Sequence, residues 1–69
     1  MTHEILKDLF TYHHPKGNQA EQYQAIRDKA HELAVLMFET APESPDTTAA
    51  IRKLRESVFT INASIAIYS

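Results

Sequence analysis

The sequence predicts an all-α protein in which a short N-terminal helix precedes a long antiparallel helical hairpin, assembled as a homo-oligomer. Three observations support this prediction. Apolar residues recur every three or four positions along most of the chain. The single glycine and the three prolines fall between the predicted helices. Finally, 69 residues without a cysteine bury only a thin core and have no disulfide to support it, so partner chains are the remaining support.

The first helix is expected at about residues 3–10, where four apolar side chains share one face. Pro15 disfavours a helical conformation of the residue before it, and Gly17 allows the backbone to turn. Asn18 followed by Glu21 resembles a capping box, which indicates that the next helix begins at about residue 19.

Two long helices of similar length are expected, at about residues 19–40 and 45–67. Ser44 as the N-cap and Pro45 at the first helical position mark the start of the second one. Because the link is only a few residues long, we expect the two helices to be antiparallel neighbours and residues 1–69 to form a single domain. Their apolar seams are Tyr23, Ile26, Ala30, Leu33 and Met37, and Ile51, Leu54, Val58, Ile61, Ile65 and Tyr68.

The apolar surface exceeds what one hairpin can cover. The last turns of the second long helix are apolar nearly all round, which is typical of a helix buried on several sides. We therefore expect other copies of the chain to cover this surface. The alternative is a monomeric three-helix bundle closed by the N-terminal helix. Apolar residues off the two seams are Leu36, Phe38, Phe59, Ala63, Ala66 and Ile67.

Charge and hydropathy exclude several classes of protein. Seven basic residues against nine acidic ones argue against a binder of DNA or RNA polymers, which would carry a basic face. The N-terminus lacks the apolar core of a signal peptide. The longest apolar region, residues 58–68, is too short to span a bilayer. We expect a soluble cytoplasmic protein with no membrane partner.

Catalytic and metal-binding patterns are weak. No cysteine is present, and one glycine cannot form a phosphate-cradling loop. Asp28 and Glu32 are flanked by Arg27 and Lys29, so a solvated charged face explains them better than an acid–base pair. Adjacent histidines such as residues 13–14 rarely chelate one ion together. We predict no enzyme activity, metal site or cofactor, although an assembly could bring histidines together across chains.

The segment TYHHPKGN, residues 11–18, combines groups that suit an anionic aromatic ligand. Tyr12 offers a flat ring on which a base can stack, and His13 and Lys16 offer donors beside it. Arg27 follows the seam residue Ile26, so its guanidinium lies at the edge of the core and could bind a phosphate. The alternatives are a Tyr12 ring packed under the N-terminal helix and an Arg27 salt bridge to Asp8 or Glu32.

Polar residues of the second long helix are ambiguous. Because Glu56 lies beside them, Arg52, Lys53 and Arg55 are interpreted as a solvated face. Asn62 and Ser64 lie among apolar neighbours and need hydrogen-bond partners if they are buried. Such partners could belong to another helix or to a ligand.

Several segments are together similar to a known family: Tyr12-His13-His14-Pro15, Ile26-Arg27, Pro42-Glu43-Ser44 and Asn62-Ala63-Ser64-Ile65-Ala66. They resemble the hairpin domain of phage anti-CBASS cyclic-nucleotide sponges, a domain that also occurs in a phage anti-Thoeris sponge. The resemblance implies a homohexamer, built as a trimer of dimers, in the cytoplasm of the infected bacterial host. It also implies sequestration of cyclic dinucleotides such as cyclic GMP-AMP without degradation, which would keep CBASS effectors inactive.

The resemblance also implies roles for single residues. Tyr12 matches the tyrosine that stacks on a base, and Arg27, or failing that Lys29, matches the basic residue that meets a phosphate. His13, Pro15 and Lys16 would complete the pocket wall. A departure is Ile67, where relatives often carry a basic residue, and this makes binding of cyclic trinucleotides doubtful. The alternative function is that of a protein–protein adaptor acting through the apolar C-terminal helix.

Overall fold

The computed structural model describes all 69 residues and contains three helices and no strand. These are α1 (His3–Phe10), α2 (Gln19–Thr40) and α3 (Pro45–Tyr68). The all-α prediction is therefore confirmed. The helix ends lie within one residue of those expected from the sequence, because the apolar periodicity and the positions of proline and glycine are local signals.

Side-chain caps start the first and third helices. The Thr2 hydroxyl accepts a hydrogen bond from the Ile5 backbone amide at 3.1 Å. The Ser44 hydroxyl accepts one from the Thr47 amide at 3.1 Å, and the Thr47 hydroxyl donates to the Pro42 carbonyl at 2.7 Å. Ser44 is thus the N-cap that the sequence predicts, with Pro45 as the first helical residue.

The expected capping box at the start of α2 is wrong. Asn18 occupies the N-cap position, but its side chain makes no capping hydrogen bond. Its backbone has φ −95° and ψ 17°, whereas a capping side chain is aimed at the helix amides from an extended backbone. Gln19 replaces it: its side-chain oxygen accepts a hydrogen bond from the Lys16 backbone amide at 2.9 Å.

Helices α2 and α3 pack against each other, whereas α1 does not join their core. Residues 41–44 connect the end of α2 to the start of α3. At the opposite end, the Gln19 side-chain amide donates to the Ile65 carbonyl at 3.3 Å. No residue of α1 is buried, so its apolar face is exposed. The closed three-helix bundle is therefore not the arrangement that this chain adopts.

The chain forms a layer that is one helix thick. Its extents are 44 × 28 × 13 Å, and a single helix with its side chains is about 10–12 Å across. Val58, at 8% exposure, is the only buried apolar residue. The accessible surface is 5831 Å², against about 4,400 Å² for a compact monomer of this mass. The radius of gyration is 15.0 Å, against about 11 Å for a compact chain of this length.

None of the three helices combines the length and the apolar character that crossing a bilayer requires.

Candidate functional site

The segment between α1 and α2 is held by hydrogen bonds to the end of α1. The Thr11 hydroxyl donates to the Lys7 carbonyl at 2.7 Å, and His13 Nε2 donates to the Asp8 carbonyl at 2.9 Å. Both interactions satisfy carbonyl groups that the last turn of a helix leaves without partners. Gly17 then turns the backbone at φ +55°, in the left-handed region that glycine adopts without steric cost.

Tyr12 presents its ring to the outside. Its residue is 74% exposed, so the alternative in which it packs under α1 is wrong. Its only aromatic neighbour is His14, at 4.6 Å between ring centroids and an interplanar angle of 82°. This edge-on contact orients the tyrosine ring, and a second flat group could still stack on the ring.

Gln19 joins this segment to the end of α3. It is 6% exposed and is the only buried polar residue of the chain. Its oxygen accepts from the Lys16 amide, and its nitrogen donates to the Ile65 carbonyl. Both ends of the side-chain amide are therefore used, as burial of a polar group requires. Gln19 fixes the position of Lys16 relative to the two long helices.

A groove of about 390 Å³ lies along one side of the α2–α3 contact; we call it the arginine groove. Arg27 and His31 reach it from α2, and Arg55 and Phe59 reach it from α3. No aspartate or glutamate lines the groove. Its complete lining is Arg27, Ala30, His31, Ala34, Ile51, Leu54, Arg55, Val58 and Phe59.

Arg27 has no acidic partner. Its guanidinium donates to the Gln24 side-chain oxygen at 3.2 Å, and the single salt bridge of the chain joins Lys29 to Glu32 instead. The expected alternative, an Arg27 salt bridge to Asp8 or Glu32, is therefore not formed. Most of the Arg27 donors remain available to an anion.

Arg55 is a groove residue that the sequence reasoning assigned to a solvated face. Its guanidinium carbon lies 4.8 Å from the centroid of the Phe59 ring. The signal that could have found it is the spacing of four residues between Arg55 and Phe59, which places both on one side of α3. His31 was missed in the same way, since it lies four residues after Arg27.

Lys29 lies on the other side of the layer. A second groove, which we call the Leu33–Ile61 groove, has a volume of about 450 Å³ and includes Lys29 in its lining. Both grooves share Ala30, Leu54 and Val58, so they flank the same α2–α3 contact. The structure therefore separates Arg27 from Lys29. The lining is Ala25, Ile26, Lys29, Ala30, Leu33, Leu54, Ser57, Val58 and Ile61.

The connecting segment and the arginine groove are linked along one side of α2. Gln19, Tyr23 and Arg27 follow at intervals of four residues, and Gln19 is about 12 Å from Arg27 along the helix axis at about 1.5 Å per residue. The Tyr23 hydroxyl and Asn62 Oδ1 are covered but have no hydrogen-bond partner within the chain. The need for a partner that the sequence predicts for Asn62 is thus unmet in a single chain.

The sequence-predicted site residues fall in three places. Tyr12, His13, Pro15 and Lys16 lie together on the connecting segment, of which only His13 is partly covered. Arg27 lines the arginine groove, and Lys29 lines the other one. Nowhere do three side chains of the kinds that bind metals come together.

Comparison with known proteins gives one match. The family model described as the Acb2/Tad1 hairpin domain matches residues 2–66, which is nearly the whole chain. Neither the curated proteins nor the solved structures contain a significant match.

Proposed function

Because the chain belongs to the Acb2/Tad1 hairpin family, the family of anti-CBASS and anti-Thoeris sponges, we propose that it sequesters cyclic dinucleotides such as cyclic GMP-AMP. Proteins of this family are sponge-type binding proteins of phage anti-defence. Sequestration without degradation in the cytoplasm of the infected host would keep CBASS effectors inactive. The observation that carries the proposal is Arg27, a guanidinium without an acidic partner in a groove about 12 Å from the Gln19 anchor of the Tyr12 segment.

The proposal includes an antiparallel α2–α3 hairpin that assembles with other copies. The Gln19–Ile65 hydrogen bond at one end and the four-residue link at the other support the antiparallel arrangement. About 1,400 Å² of surface beyond that of a compact monomer supports assembly, since a standard interface covers about 800 Å² of each partner. We propose the homohexamer, a trimer of dimers, that the family resemblance implies.

Two-fold symmetry explains how one short chain could hold such a ligand. A cyclic dinucleotide carries two bases and two phosphates related by an approximate dyad. A symmetric dimer presents each patch twice, so that one Tyr12 and one Arg27 per chain become two of each. A net acidic chain can bind this dianion, because only the pocket has to be basic.

A second candidate function is that of a protein–protein adaptor. It is favoured by the large apolar side chains that a single chain leaves exposed on the long helices, among them Phe38, Phe59 and Tyr68. An adaptor would use this surface for a different protein, whereas a sponge would use it for its own copies.

Ligand-dependent thermal unfolding separates the two functions. With cyclic GMP-AMP at about a hundred times its dissociation constant, we expect about 2.7 kcal/mol of added stability and a melting temperature higher by several degrees. Differential scanning fluorimetry measures this shift, with linear GMP and AMP as the control ligands. An unchanged melting temperature at millimolar ligand would favour the adaptor.

The substitution Tyr12→Ala should weaken cyclic GMP-AMP binding by about 1–3 kcal/mol per lost base stack, with no change in molecular mass. Tyr12→Phe should bind almost as the parent does, because the flat ring remains. Tyr68→Ala, which removes another exposed tyrosine, is the matched control. Isothermal titration calorimetry gives the affinities, and equal affinity of Tyr12→Ala and the parent would remove Tyr12 from the pocket.

Recovery of the ligand tests the absence of chemistry. Heating the complex to unfold the protein should release cyclic GMP-AMP with both phosphodiester bonds intact, as measured by liquid chromatography. A linear dinucleotide in the released fraction would contradict sequestration.

A further inference from the structure

The arginine groove contains a second cation that the proposed function does not yet use. We propose that Arg55, held on the ring of Phe59, binds a phosphate of the cyclic dinucleotide together with Arg27. This inference rests on the proposed function, and it adds a residue of α3 to a site that is otherwise built from the connecting segment and α2.

The contact with Phe59 leaves the hydrogen-bonding edge of Arg55 free. A guanidinium stacked on an aromatic ring uses its face, whereas its five N–H donors point outward in the plane. The guanidinium carbon is 4.8 Å from the ring centroid, and no side chain or carbonyl of this chain accepts a hydrogen bond from Arg55. The stack limits the rotation of a long side chain, so less entropy is lost when an anion binds.

The charge of the groove favours an anion over another copy of the chain. Arg27, Arg55 and His31 line it without a carboxylate, and neither arginine has an acid within salt-bridge distance. Covering two guanidinium groups with an apolar surface would remove them from water without a partner, which costs several kcal/mol. A phosphodiester can instead accept two parallel hydrogen bonds from one guanidinium.

The remaining lining suits the rest of a nucleotide. Ala30 and Ala34 are small, so the groove stays open above them, and Ile51 and Leu54 give it an apolar floor. Phe59 is about half exposed and adds an aromatic surface beside the two cations. Apolar and aromatic walls with a few convergent charged groups are typical of small-molecule sites.

Titration of the full chain with cyclic GMP-AMP tests the inference. We expect Arg55→Met to lower the affinity by about tenfold to a hundredfold, the scale of a charge-assisted hydrogen bond, with an unchanged molecular mass. Arg55→Lys should recover part of the loss, since it restores the charge but not the fork. Phe59→Leu should also bind more weakly, because it removes the ring that holds Arg55.

Arg52→Met is the matched control. Arg52 is exposed on the same helix three residues earlier and lines a different groove, beside Glu43, so its loss should change the affinity by less than about twofold. If the parent protein binds cyclic GMP-AMP and Arg55→Met binds it equally well, the inference fails and the proposed function stands. If Arg55→Met instead changes the molecular mass at unchanged affinity, the groove is covered by a second copy. If the parent itself does not bind, the proposed function fails first.

Discussion

Replacing Arg27 with methionine should weaken cyclic GMP-AMP binding by about a hundredfold or more without changing the molecular mass of the protein. A hydrogen bond to a charged group contributes about 1.5–3 kcal/mol, and a symmetric dimer loses it twice. The sum is about 3 kcal/mol or more, which corresponds to this change in the dissociation constant. Methionine retains an unbranched apolar stem, so the helix propensity and the packing along α2 change little.

Lys29→Met is the control for this experiment. Lys29 carries the same charge two residues away but lines the opposite groove and forms a salt bridge with Glu32 at 3.2 Å. This exposed pair contributes little to stability, so we expect an affinity near that of the parent. Isothermal titration calorimetry compares the variants at one ionic strength. The reverse order of the two affinities would assign the phosphate contact to Lys29 and contradict our choice of Arg27.

Introducing glutamate at both Leu33 and Ile61 should convert the assembly into monomers. Each of these side chains is 46% exposed in the Leu33–Ile61 groove, where neighbouring residues are mostly apolar. If another copy covers this groove, each carboxylate must lose water without gaining a partner, at a cost of several kcal/mol. A total of about 4 kcal/mol already weakens association about a thousandfold. Size-exclusion chromatography with light scattering gives the mass.

A variant with two glutamates outside the groove controls for added charge. Gln22→Glu with Thr48→Glu places one carboxylate on α2 and one on α3 at exposed polar positions, so it should keep the mass of the parent. Retention of the full mass by the Leu33→Glu, Ile61→Glu variant would show that this groove is not an interface. A monomeric parent protein would contradict the assembly itself.

The fold was predictable wherever the controlling interactions are local. Helix bounds follow from apolar spacing within about four residues, and Ser44 with Pro45 caps α3 through atoms adjacent in sequence. Asn18 shows where this reasoning fails, since its ψ of 17° is set by the turn at Gly17, and Gln19 supplies the side-chain bond instead. The open position of α1 was not predictable, because the sequence does not say whether its apolar face meets this chain or another.

The site was predictable in part. Arg27 was found from its position beside the seam residue Ile26. Arg55 was missed because Glu56 follows it, but successive residues of a helix point about 100° apart, so Glu56 is not its spatial neighbour. The relevant neighbour was Phe59, one turn further along α3. Which cations share a groove depends on the register of α2 against α3, and this long-range information is not present in the spacing along either helix.

A layer only 13 Å thick has no interior of its own. With Val58 as its sole buried apolar residue, the chain gains little from folding alone, and most of its apolar contacts have to form between copies. Folding and assembly are then a single equilibrium, in which dilution acts in the same direction as a denaturant. The free energy of unfolding of such a chain has a meaning only at a stated protein concentration.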